Sequence, residues 1–217
     1  MLRITLPDRK PLAWYLAAER FLAERGIDAW LFWTPPPTVI CGRHQDIASE
    51  VNLPFCRSHG IAVVRRSSGG GTVYADRGNL MISRIATSTN KNAVYSDFLQ
   101  RVSAALRTLG YPAVTTEHND ILVSGYKVSG TACYVLPHAT VVHGTLLCTV
   151  DMDILSQAIT PSAAKLKKHA VSSVRQRVRN LGSMPDIASL LTSESQPLSP
   201  SDLSRIDLLS VSPSSPV

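Results

Sequence analysis

Apolar residues recur at helical spacing in two long segments of the chain. Residues 12–25 and 95–109 each carry a one-sided apolar pattern, and a glycine follows each segment. Three shorter segments also predict helices, at residues 53–59, 151–159 and 185–191. Short apolar runs predict strands at residues 29–33, 38–41, 61–65, 72–74, 80–85, 121–123, 127–135 and 141–150. Residues 170–180 fit either a helix or an extended segment.

The order of these elements predicts one mixed domain rather than a repeating βαβ chain. The strands are joined by hairpins, and the last three predicted strands form an antiparallel meander. The sequence therefore predicts an α+β (mixed α/β) domain over residues 1–192, with a central, mostly antiparallel β-sheet flanked by helices. Residues 193–217 are predicted to be a disordered tail, because 13 of these 25 residues are Ser or Pro.

Composition excludes several classes of protein. The chain has 217 residues, of which 44% are hydrophobic and 18% charged, so it can build a real core. No apolar run is long enough to span a bilayer, and the first residues carry no secretory signal, so we expect a cytoplasmic protein with reduced thiols. The four cysteines are scattered without a C-x-x-C pair, a pattern of neither a disulfide framework nor a zinc site.

The chain is basic, with a net charge of +6 and 16 Arg against 6 Lys. Such a balance suits a phosphate-bearing ligand, an acidic protein partner or nucleic acid. The densest basic clusters, at residues 165–169 and 174–180, lack the interleaved aromatic residues of single-stranded RNA binders. A non-catalytic module that docks nucleic acid or an acidic protein is therefore the weaker interpretation.

A glycine-rich segment, RRSSGGGTVYADRGNL at residues 65–80, carries a local signal for ligand binding. We call residues 66–72 the glycine loop. Backbone N–H groups of such a loop converge on phosphate oxygens, and the missing side chains let a flat ligand lie against the chain. Arg65 directly precedes the loop and Arg66 is its first residue; guanidinium groups at such positions bind phosphate or carboxylate. The segment is neither a Walker loop nor a dinucleotide fingerprint, and by itself a hairpin turn with a solvated arginine pair is an equal interpretation.

A second segment, NDILVSGYKVSGTA at residues 119–132, carries a lysine just after a hairpin turn, and we call it the lysine hairpin. Alternation along the strand predicts that Lys127 and Ser129 share one face. Val128 and Gly130 are then expected on the other face. A single ammonium on an otherwise uncharged strand suits a reacting phosphate or carboxylate, although a solvated lysine on an edge strand gives the same pattern.

A third segment, VVHGTLL at residues 141–147, is an apolar run interrupted by His143 and Gly144. The gap indicates close approach to a ligand or to another backbone. A hydrogen-bonded core histidine and a catalytic histidine are both good interpretations of His143.

In their order along the chain these segments resemble the lipoate–protein ligase A family, within the biotin/lipoate A/B protein ligase superfamily. Several ordered motifs make this resemblance far more specific than a glycine loop alone. The resembling segments lie at residues 32–52, 65–80, 119–132, 143–147 and 173–181, within about residues 12–182. The resemblance implies the catalytic-domain fold of that superfamily. It also implies an ATP-dependent reaction in which lipoate or octanoate forms an acyl-adenylate and is then attached to an acceptor lysine.

The resemblance further implies ATP and Mg²⁺ as cofactors and lipoate as substrate. The implied partners are lipoyl-acceptor domains, namely the E2 subunits of 2-oxoacid dehydrogenases and the H protein of the glycine-cleavage system. A separate chain like the family's C-terminal accessory domain is a further implied partner. No membrane partner is implied.

The resemblance also gives roles to individual residues. Lys127 stands at the acyl–phosphate junction as the catalytic residue, and Asp120 is the candidate to hold a Mg²⁺-bound phosphate. Val73, Val142 and Leu146 are expected to line an apolar tunnel for the acyl chain. The residues implied in nucleotide or acyl binding are Arg65, Arg66, Gly69, Gly70, Gly71, Thr72, Val73, Tyr74, Asp76, Asn79, Asn119, Asp120, Ser129, Gly130, His143 and Gly144.

Two departures from the family pattern keep alternatives open. Ala75 precedes Asp76 where the family has His, and a Ser/Pro segment follows where many such ligases carry a small C-terminal domain. The chain is therefore predicted to be a single-domain ligase, the catalytic half of a two-chain ligase, or a transferase that receives lipoyl-AMP or an acylated carrier protein. Cysteine-dependent transferases are disfavoured, because Thr140 stands where one branch has its cysteine and residues 110–121 contain none.

Overall fold

An eight-stranded sheet and a three-stranded sheet form the framework of the computed structural model, which describes residues 1–116, 120–160 and 178–211. The strands are β1 (Leu2–Thr5), β2 (Ala29–Trp33), β3 (Thr38–Cys41), β4 (Ala62–Arg65), β5 (Val73–Ala75), β6 (Asn79–Ala86), β7 (Ala113–Thr115), β8 (Asp120–Val123), β9 (Tyr126–Leu136), β10 (Ala139–Leu147) and β11 (Glu194–Pro197). The helices are α1 (Leu12–Glu24), α2 (Ile47–Glu50), α3 (Leu53–Ser58), α4 (Lys91–Thr108), α5 (Met152–Ala158), α6 (Ile187–Leu191) and α7 (Pro200–Ser210).

The large sheet has the strand order β11-β1-β2-β6-β10-β9-β8-β7. All pairs from β2 to β7 are antiparallel, whereas β1 pairs in parallel with both β2 and β11. The predicted fold class, a mostly antiparallel sheet flanked by helices, is therefore confirmed.

Helices cover both faces of the large sheet. On one face α1 buries Tyr15 and Leu22 against the strands, and α7 packs beside α1 through Ile206. On the other face α4 buries Phe98 and Leu106. A third apolar cluster lies between the small sheet and helices α3 and α5. The one-sided apolar spacing of the two long helices thus fills both sheet–helix interfaces.

The small sheet, with the order β4-β3-β5, positions the glycine loop. Strand β3 pairs in parallel with β4 and antiparallel with β5. Because β4 ends at Arg65 and β5 begins at Val73, the glycine loop connects the two outer strands across the end of β3. The loop is therefore fixed at both ends by sheet hydrogen bonds.

The prediction of a disordered tail is wrong for residues 194–210, which form β11 and α7. Strand β11 extends the large sheet beside β1, and α7 buries Ile206 completely. Two of these residues begin α7: Ser199 Oγ accepts a hydrogen bond from the Asp202 N–H, and Pro200 lies in the first turn. Part of the Ser and Pro content of the segment therefore reflects capping of α7.

The other predicted elements agree with the structure in type, and β1, α2 and β7 are additional. The segment predicted at residues 170–180 lies outside the described residues up to position 177, as does the last part of the tail, residues 212–217. Among the helices that the structure describes, none is both long and apolar enough to cross a membrane.

Candidate active site

Arg66 holds the glycine loop together from inside. Its buried guanidinium donates four hydrogen bonds. Nε bonds Ser68 Oγ at 3.0 Å, and Nη1 bonds the Ile40 carbonyl at 3.1 Å. Nη2 bonds the carbonyls of Gly69 and Gly71 at 2.7 and 2.8 Å. Burial lowers the pKa of Arg66 to about 10, so the loop is shaped around a desolvated cation.

Arg65 also binds backbone. Its Nη1 donates to the carbonyls of Gly42, Arg43 and Gln45, at 2.9, 3.1 and 2.7 Å. The prediction that Arg66 presents its guanidinium to phosphate is therefore corrected, because this buried group binds atoms of the surrounding loops. Arg65 is partly exposed, and its contact with phosphate stays a prediction. Two arginines next to a glycine run give the same sequence signal in either arrangement.

Gly42 belongs to the site, although nothing in its sequence context indicated this. A Cβ atom on Gly42 would overlap the carbonyl of Gly70, and Gly70 itself has a φ of +89°. Gly69 has open space at its Cβ position. The steric need for glycine therefore falls on Gly42 and Gly70, where the loop packs directly on the backbone that follows β3.

Lys127 lies near the start of β9 and forms an ion pair with Asp120 on β8, with 2.7 Å between Nζ and Oδ1. The lysine side chain is 19% exposed, so the ammonium is neither fully buried nor extended into bulk water. A Cβ atom on Gly130 would lie 3.0 Å from Nζ and 3.1 Å from Cε of the lysine. The lysine therefore lies across the backbone of Gly130, which has no side chain to displace it.

A β-bulge at Val128 changes the faces that alternation predicts. Lys127 and Ser129 pair with consecutive residues of β8, so Val128 is the extra residue of β9. Lys127 consequently shares a face with Gly130, and Ser129 is buried on the opposite face. The predicted placement of Lys127 and Ser129 on one face is wrong, because the bulge shifts the alternation by one residue.

His143 connects the glycine loop to helix α1. Its Nε2 lies 2.7 Å from Ser68 Oγ, and its Nδ1 lies 2.9 Å from a carboxylate oxygen of Glu19. Ser83 donates to the other oxygen of Glu19 at 2.6 Å, and all four side chains are buried. His143 is thus a hydrogen-bonded core histidine. Glu19 was missed, although a carboxylate on the apolar face of a predicted helix is itself a signal of a buried polar contact.

The glycine loop and Lys127 meet the same face of β9 and β10. Gly130, which the lysine crosses, pairs with Thr145, and Thr145 is two residues from His143 on β10. Residues two apart on a strand point to the same face and lie about 7 Å apart. The ammonium and the contact between His143 and Ser68 therefore lie side by side along the strands.

Tyr95 on α4 is affected by both charged parts of this site. Its hydroxyl lies 2.6 Å from Thr131 Oγ1 on β9. The pKa of Tyr95 is raised to about 12, chiefly by burial. Among the smaller effects, the charge of Asp120 raises this pKa and the charge of Arg66 lowers it.

The remaining predicted residues stabilise the framework around the site. Asp76 and Asn79 close the turn between β5 and β6: Asp76 accepts from the Gly78 N–H, and Asn79 accepts from the Asp76 N–H. Gly144 packs against Thr131 on the α4 side of the sheet. The predicted residues that lead from the glycine loop into β5 are Thr72, Val73 and Tyr74.

The apolar tunnel predicted from Val73, Val142 and Leu146 is not formed by these three residues together. Val142 and Leu146 are fully buried in the cluster on the α4 side, whereas Val73 packs in the cluster on the α1 side. The sheet separates the two groups. Asn119, also a predicted site residue, lies outside the described residues.

Within the described residues, the site has neither an activated thiol nor a ready-made cluster of metal ligands. All four cysteines are free, and burial raises the pKa of each thiol, to about 11 for Cys148. Within the part of the chain that the structure describes, no group of three or more His, Cys, Asp or Glu side chains could hold a metal ion. Asp120 offers one carboxylate, which is bonded to Lys127.

Two curated relatives show partial but clear similarity to the chain. A lipoate–protein ligase of Staphylococcus aureus is 39% identical over 154 residues, which are 70% of this chain and 47% of that protein. The mitochondrial lipoyl amidotransferase of Homo sapiens is 34% identical over 153 residues, which are 69% of this chain and 40% of that protein. The chain thus spans about half the length of the curated relatives it matches.

Two solved structures share the fold of the whole chain. A lipoate–protein ligase A bound with ATP has a TM-score of 0.82 at 23% identity, covering 97% of this chain and 94% of that one. A bi-partite lipoate protein ligase of Thermoplasma acidophilum, studied with its E2 lipoyl domain, has a TM-score of 0.81 at 23% identity, covering 96% and 90%. The model of the lipoyl protein ligase A/B catalytic domain matches residues 12–192. The chain therefore belongs to the lipoyl protein ligase A/B catalytic-domain family, as its sequence motifs predicted.

Proposed function

We propose that this chain is the catalytic part of an ATP-dependent lipoate–protein ligase, which attaches lipoate or octanoate to an acceptor lysine through an acyl-adenylate. The observation that carries the proposal is the position of Lys127. Its ammonium lies over Gly130, on the sheet face to which the glycine loop is bonded. Adenylation gathers negative charge where a carboxylate meets the α-phosphate, and a fixed cation beside exposed backbone N–H groups stabilises that charge.

Each chemical step has a place in this arrangement. A carboxylate oxygen attacks the α-phosphorus of ATP and pyrophosphate leaves; the acceptor amine then attacks the acyl carbon and AMP leaves. We assign Lys127 to the anhydride in both steps, and Asp120 orients the ammonium before substrate binds. Mg²⁺ is usually held by phosphate oxygens with one or two carboxylates, and Asp120 supplies one such carboxylate.

The glycine loop is suited to hold the nucleotide through its backbone. Arg66 draws the carbonyls of Gly69 and Gly71 towards itself. In a trans peptide the N–H points opposite to the carbonyl, so the N–H groups of Gly70 and Thr72 point away from Arg66. Arg66 therefore acts on the nucleotide indirectly, by aiming backbone donors at phosphate oxygens.

A second candidate function is transfer of an acyl group that arrives already activated as lipoyl-AMP. It is supported by the similarity to a protein named as an amidotransferase and by the chain's coverage of about half of its relatives. Transfer through a cysteine thioester of this chain has less support, because burial raises the pKa of all four thiols.

We infer that the acceptor is a lipoyl domain and that a separate accessory chain completes the enzyme. The archaeal structure with the same fold is a bi-partite ligase studied with an E2 lipoyl domain. A net charge of +6 favours rapid encounter with an acidic acceptor.

The test is a pair of assays on the purified chain with an E2 lipoyl domain as acceptor. In the first, pyrophosphate is measured with lipoate and Mg²⁺-ATP, with each component omitted in turn and with an accessory chain present or absent. In the second, preformed lipoyl-AMP replaces lipoate and ATP, and the acceptor is weighed by mass spectrometry. Lipoate-dependent pyrophosphate release supports the ligase. Acceptor modification from lipoyl-AMP alone supports the transferase, and inactivity in every arm contradicts both.

A further inference from the structure

We propose that Glu19 is a positioning residue, which sets the conformation of the glycine loop through a buried chain of hydrogen bonds. The chain runs from Glu19 on α1 through His143 on β10 and Ser68 in the loop to Arg66. Three elements far apart in sequence thus meet in one polar chain inside the core. The effect on catalysis rests on the proposed function, but the effect on the loop does not.

The directions of the hydrogen bonds in this chain follow from its two end groups. The Glu19 carboxylate can only accept, so His143 donates to it from Nδ1–H at 2.9 Å. A neutral imidazole with its proton on Nδ1 accepts at Nε2, so the Ser68 hydroxyl donates to Nε2 at 2.7 Å. Arg66 Nε can only donate, so Ser68 Oγ accepts from it at 3.0 Å. We therefore assign the Nδ1–H tautomer to His143.

Further donors reach Glu19 from the opposite side. Ser83 Oγ–H donates to its second carboxylate oxygen at 2.6 Å, and Trp33 Nε1–H donates to Ser83 Oγ at 3.3 Å. Glu19 is fully buried and accepts at both oxygens, which is how a buried carboxylate is tolerated. Its negative charge is linked to the positive charge of Arg66 through two neutral side chains.

This chain of hydrogen bonds matters because Arg66 holds the glycine loop. Arg66 binds the carbonyls of Gly69 and Gly71, and its Nε is fixed on Ser68 Oγ. Ser68 is fixed in turn by His143, and His143 by Glu19. Loss of Glu19 would release the imidazole and the Ser68 hydroxyl, and the N–H groups of Gly70 and Thr72 would lose their fixed direction.

The order Ser68, His143, Glu19 also resembles the triad of a hydrolase, but two observations oppose nucleophilic chemistry. Ser68 is 1% exposed, so a substrate carbonyl cannot reach its hydroxyl. Arg66 donates to that same oxygen, which withdraws electron density from it. The triad geometry here serves to position the loop.

The first test examines this chain of hydrogen bonds in the protein without any ligand. In ¹⁵N-labelled full-length protein, the imidazole of His143 is expected to show a protonated Nδ1 and an unprotonated Nε2. The opposite tautomer would overturn the assignment. Hydrogen exchange of the loop amides, residues 68–72, is measured on the same sample.

Variants then interrupt the chain of hydrogen bonds at one end or at the other. Glu19→Leu removes both acceptor oxygens at similar volume, and Ser68→Ala cuts the link at the loop. Each is expected to speed exchange of the amides at 68–72 by roughly tenfold or more. Glu19→Gln retains one acceptor and is expected to fall between wild type and Glu19→Leu. Should Glu19→Leu fail to fold, Ser68→Ala still decides the matter.

Thr140→Val is the matched control. Thr140 is fully buried on the same strand as His143, but its hydroxyl donates to the Ser88 carbonyl, which is not part of the hydrogen-bond chain from Glu19 to Arg66. It is expected to lower the unfolding temperature without faster exchange at 68–72. ATP affinity is measured in parallel by titration calorimetry, with a roughly tenfold rise in Kd expected for Ser68→Ala. If the wild-type protein has no affinity for ATP, the proposed function fails while tautomer and exchange still test the loop. Equal loop exchange in Ser68→Ala and Thr140→Val would overturn the inference.

Discussion

The two cations that face the same side of the sheet are held in opposite ways. Arg66, in the glycine loop, is buried and donates four hydrogen bonds to protein atoms. Lys127, in the lysine hairpin, is 19% exposed and is paired with a carboxylate. The Arg66 guanidinium is thus fully occupied by acceptors of the protein itself. The Lys127 ammonium, by contrast, can exchange one anionic partner for another.

This difference separates shape from chemistry within one site. The Lys127 side chain is 19% exposed, so a substrate phosphate can reach its ammonium and take the place of Asp120. Arg66 is held by four protein acceptors, and each buried acceptor that loses its donor costs about 1–3 kcal/mol. The glycine loop therefore gives the site its fixed shape, and the lysine hairpin supplies a positive charge that can contact the reacting groups.

Lys127→Ala is expected to have the largest effect on activity. Loss of a preorganised cation lowers the rate of acceptor modification by roughly 10²–10³. Because the Asp120 side chain is only 10% exposed and loses this partner, the free energy of unfolding should also fall, by about 1–3 kcal/mol. Acceptor modification is measured by mass spectrometry and stability by urea denaturation.

Lys10→Ala is the control for the loss of activity, because Lys10 forms an ion pair of similar length, with Asp207 at 2.9 Å, away from the site and more exposed to solvent. It should leave the rate unchanged. A Lys127→Ala protein that stays fully active would contradict the assignment of this lysine to the reaction.

Arg66→Lys is expected to act on the loop and therefore on stability. An ammonium cannot reach Ser68, Ile40 and the loop carbonyls at once, so buried acceptors lose their donors. The free energy of unfolding should fall by about 2–3 kcal/mol. Urea denaturation measures the loss.

Arg65→Lys provides the comparison for that variant. Only Nη1 of Arg65 makes the three recorded contacts, and the side chain is partly exposed, so a lysine can replace most of them. Equal destabilisation by the two substitutions would contradict the assignment of Arg66 as the internal support of the loop.

Gly130→Ala should lower activity less than removal of the lysine. The new Cβ would press on Nζ and Cε of Lys127, at 3.0 and 3.1 Å, and tilt the ammonium away from its present position. We expect a loss of roughly tenfold in rate, because a misplacement of about 1 Å is enough to cost that much. In a Lys127→Ala background the same substitution should have no further effect, since its action is through the lysine. An additional loss in the double variant would show that Gly130 acts independently.

The sequence predicted the elements of this site better than it predicted their contacts. The strands beside Lys127 and the glycine run follow from local apolar patterns and turn residues, and the structure has them. The bulge at Val128 depends on how β9 pairs with β8, which no alternation within one strand reveals. Glu19 meets His143 across 124 residues, a contact that the fold alone creates. Residues 194–210 were misread because capping residues and disordered segments share a composition rich in Ser and Pro.

The smallest expected effect concerns Tyr95, whose contribution to the free energy of unfolding depends on pH. Its pKa is about 12 in the fold and 10 in the unfolded chain, so the fold favours the neutral phenol. The stability from this preference is complete below pH 10 and is lost as pH rises towards 12. Tyr95→Phe removes this dependence and also the hydrogen bond to Thr131, worth about 1 kcal/mol.

The wild-type protein should therefore exceed Tyr95→Phe in stability by a constant amount up to about pH 10, and the difference should shrink above it. The contribution of Arg66 to stability changes in the opposite direction over nearly the same range, because burial lowers its pKa in the fold to about 10, below its pKa in the unfolded chain. That contribution is common to both proteins and cancels in the difference, as do those of the other tyrosines. Urea denaturation at several pH values above and below 10 measures it. A difference that stays constant through this range would mean that the phenol ionises as easily in the fold as in water, so that burial does not raise its pKa.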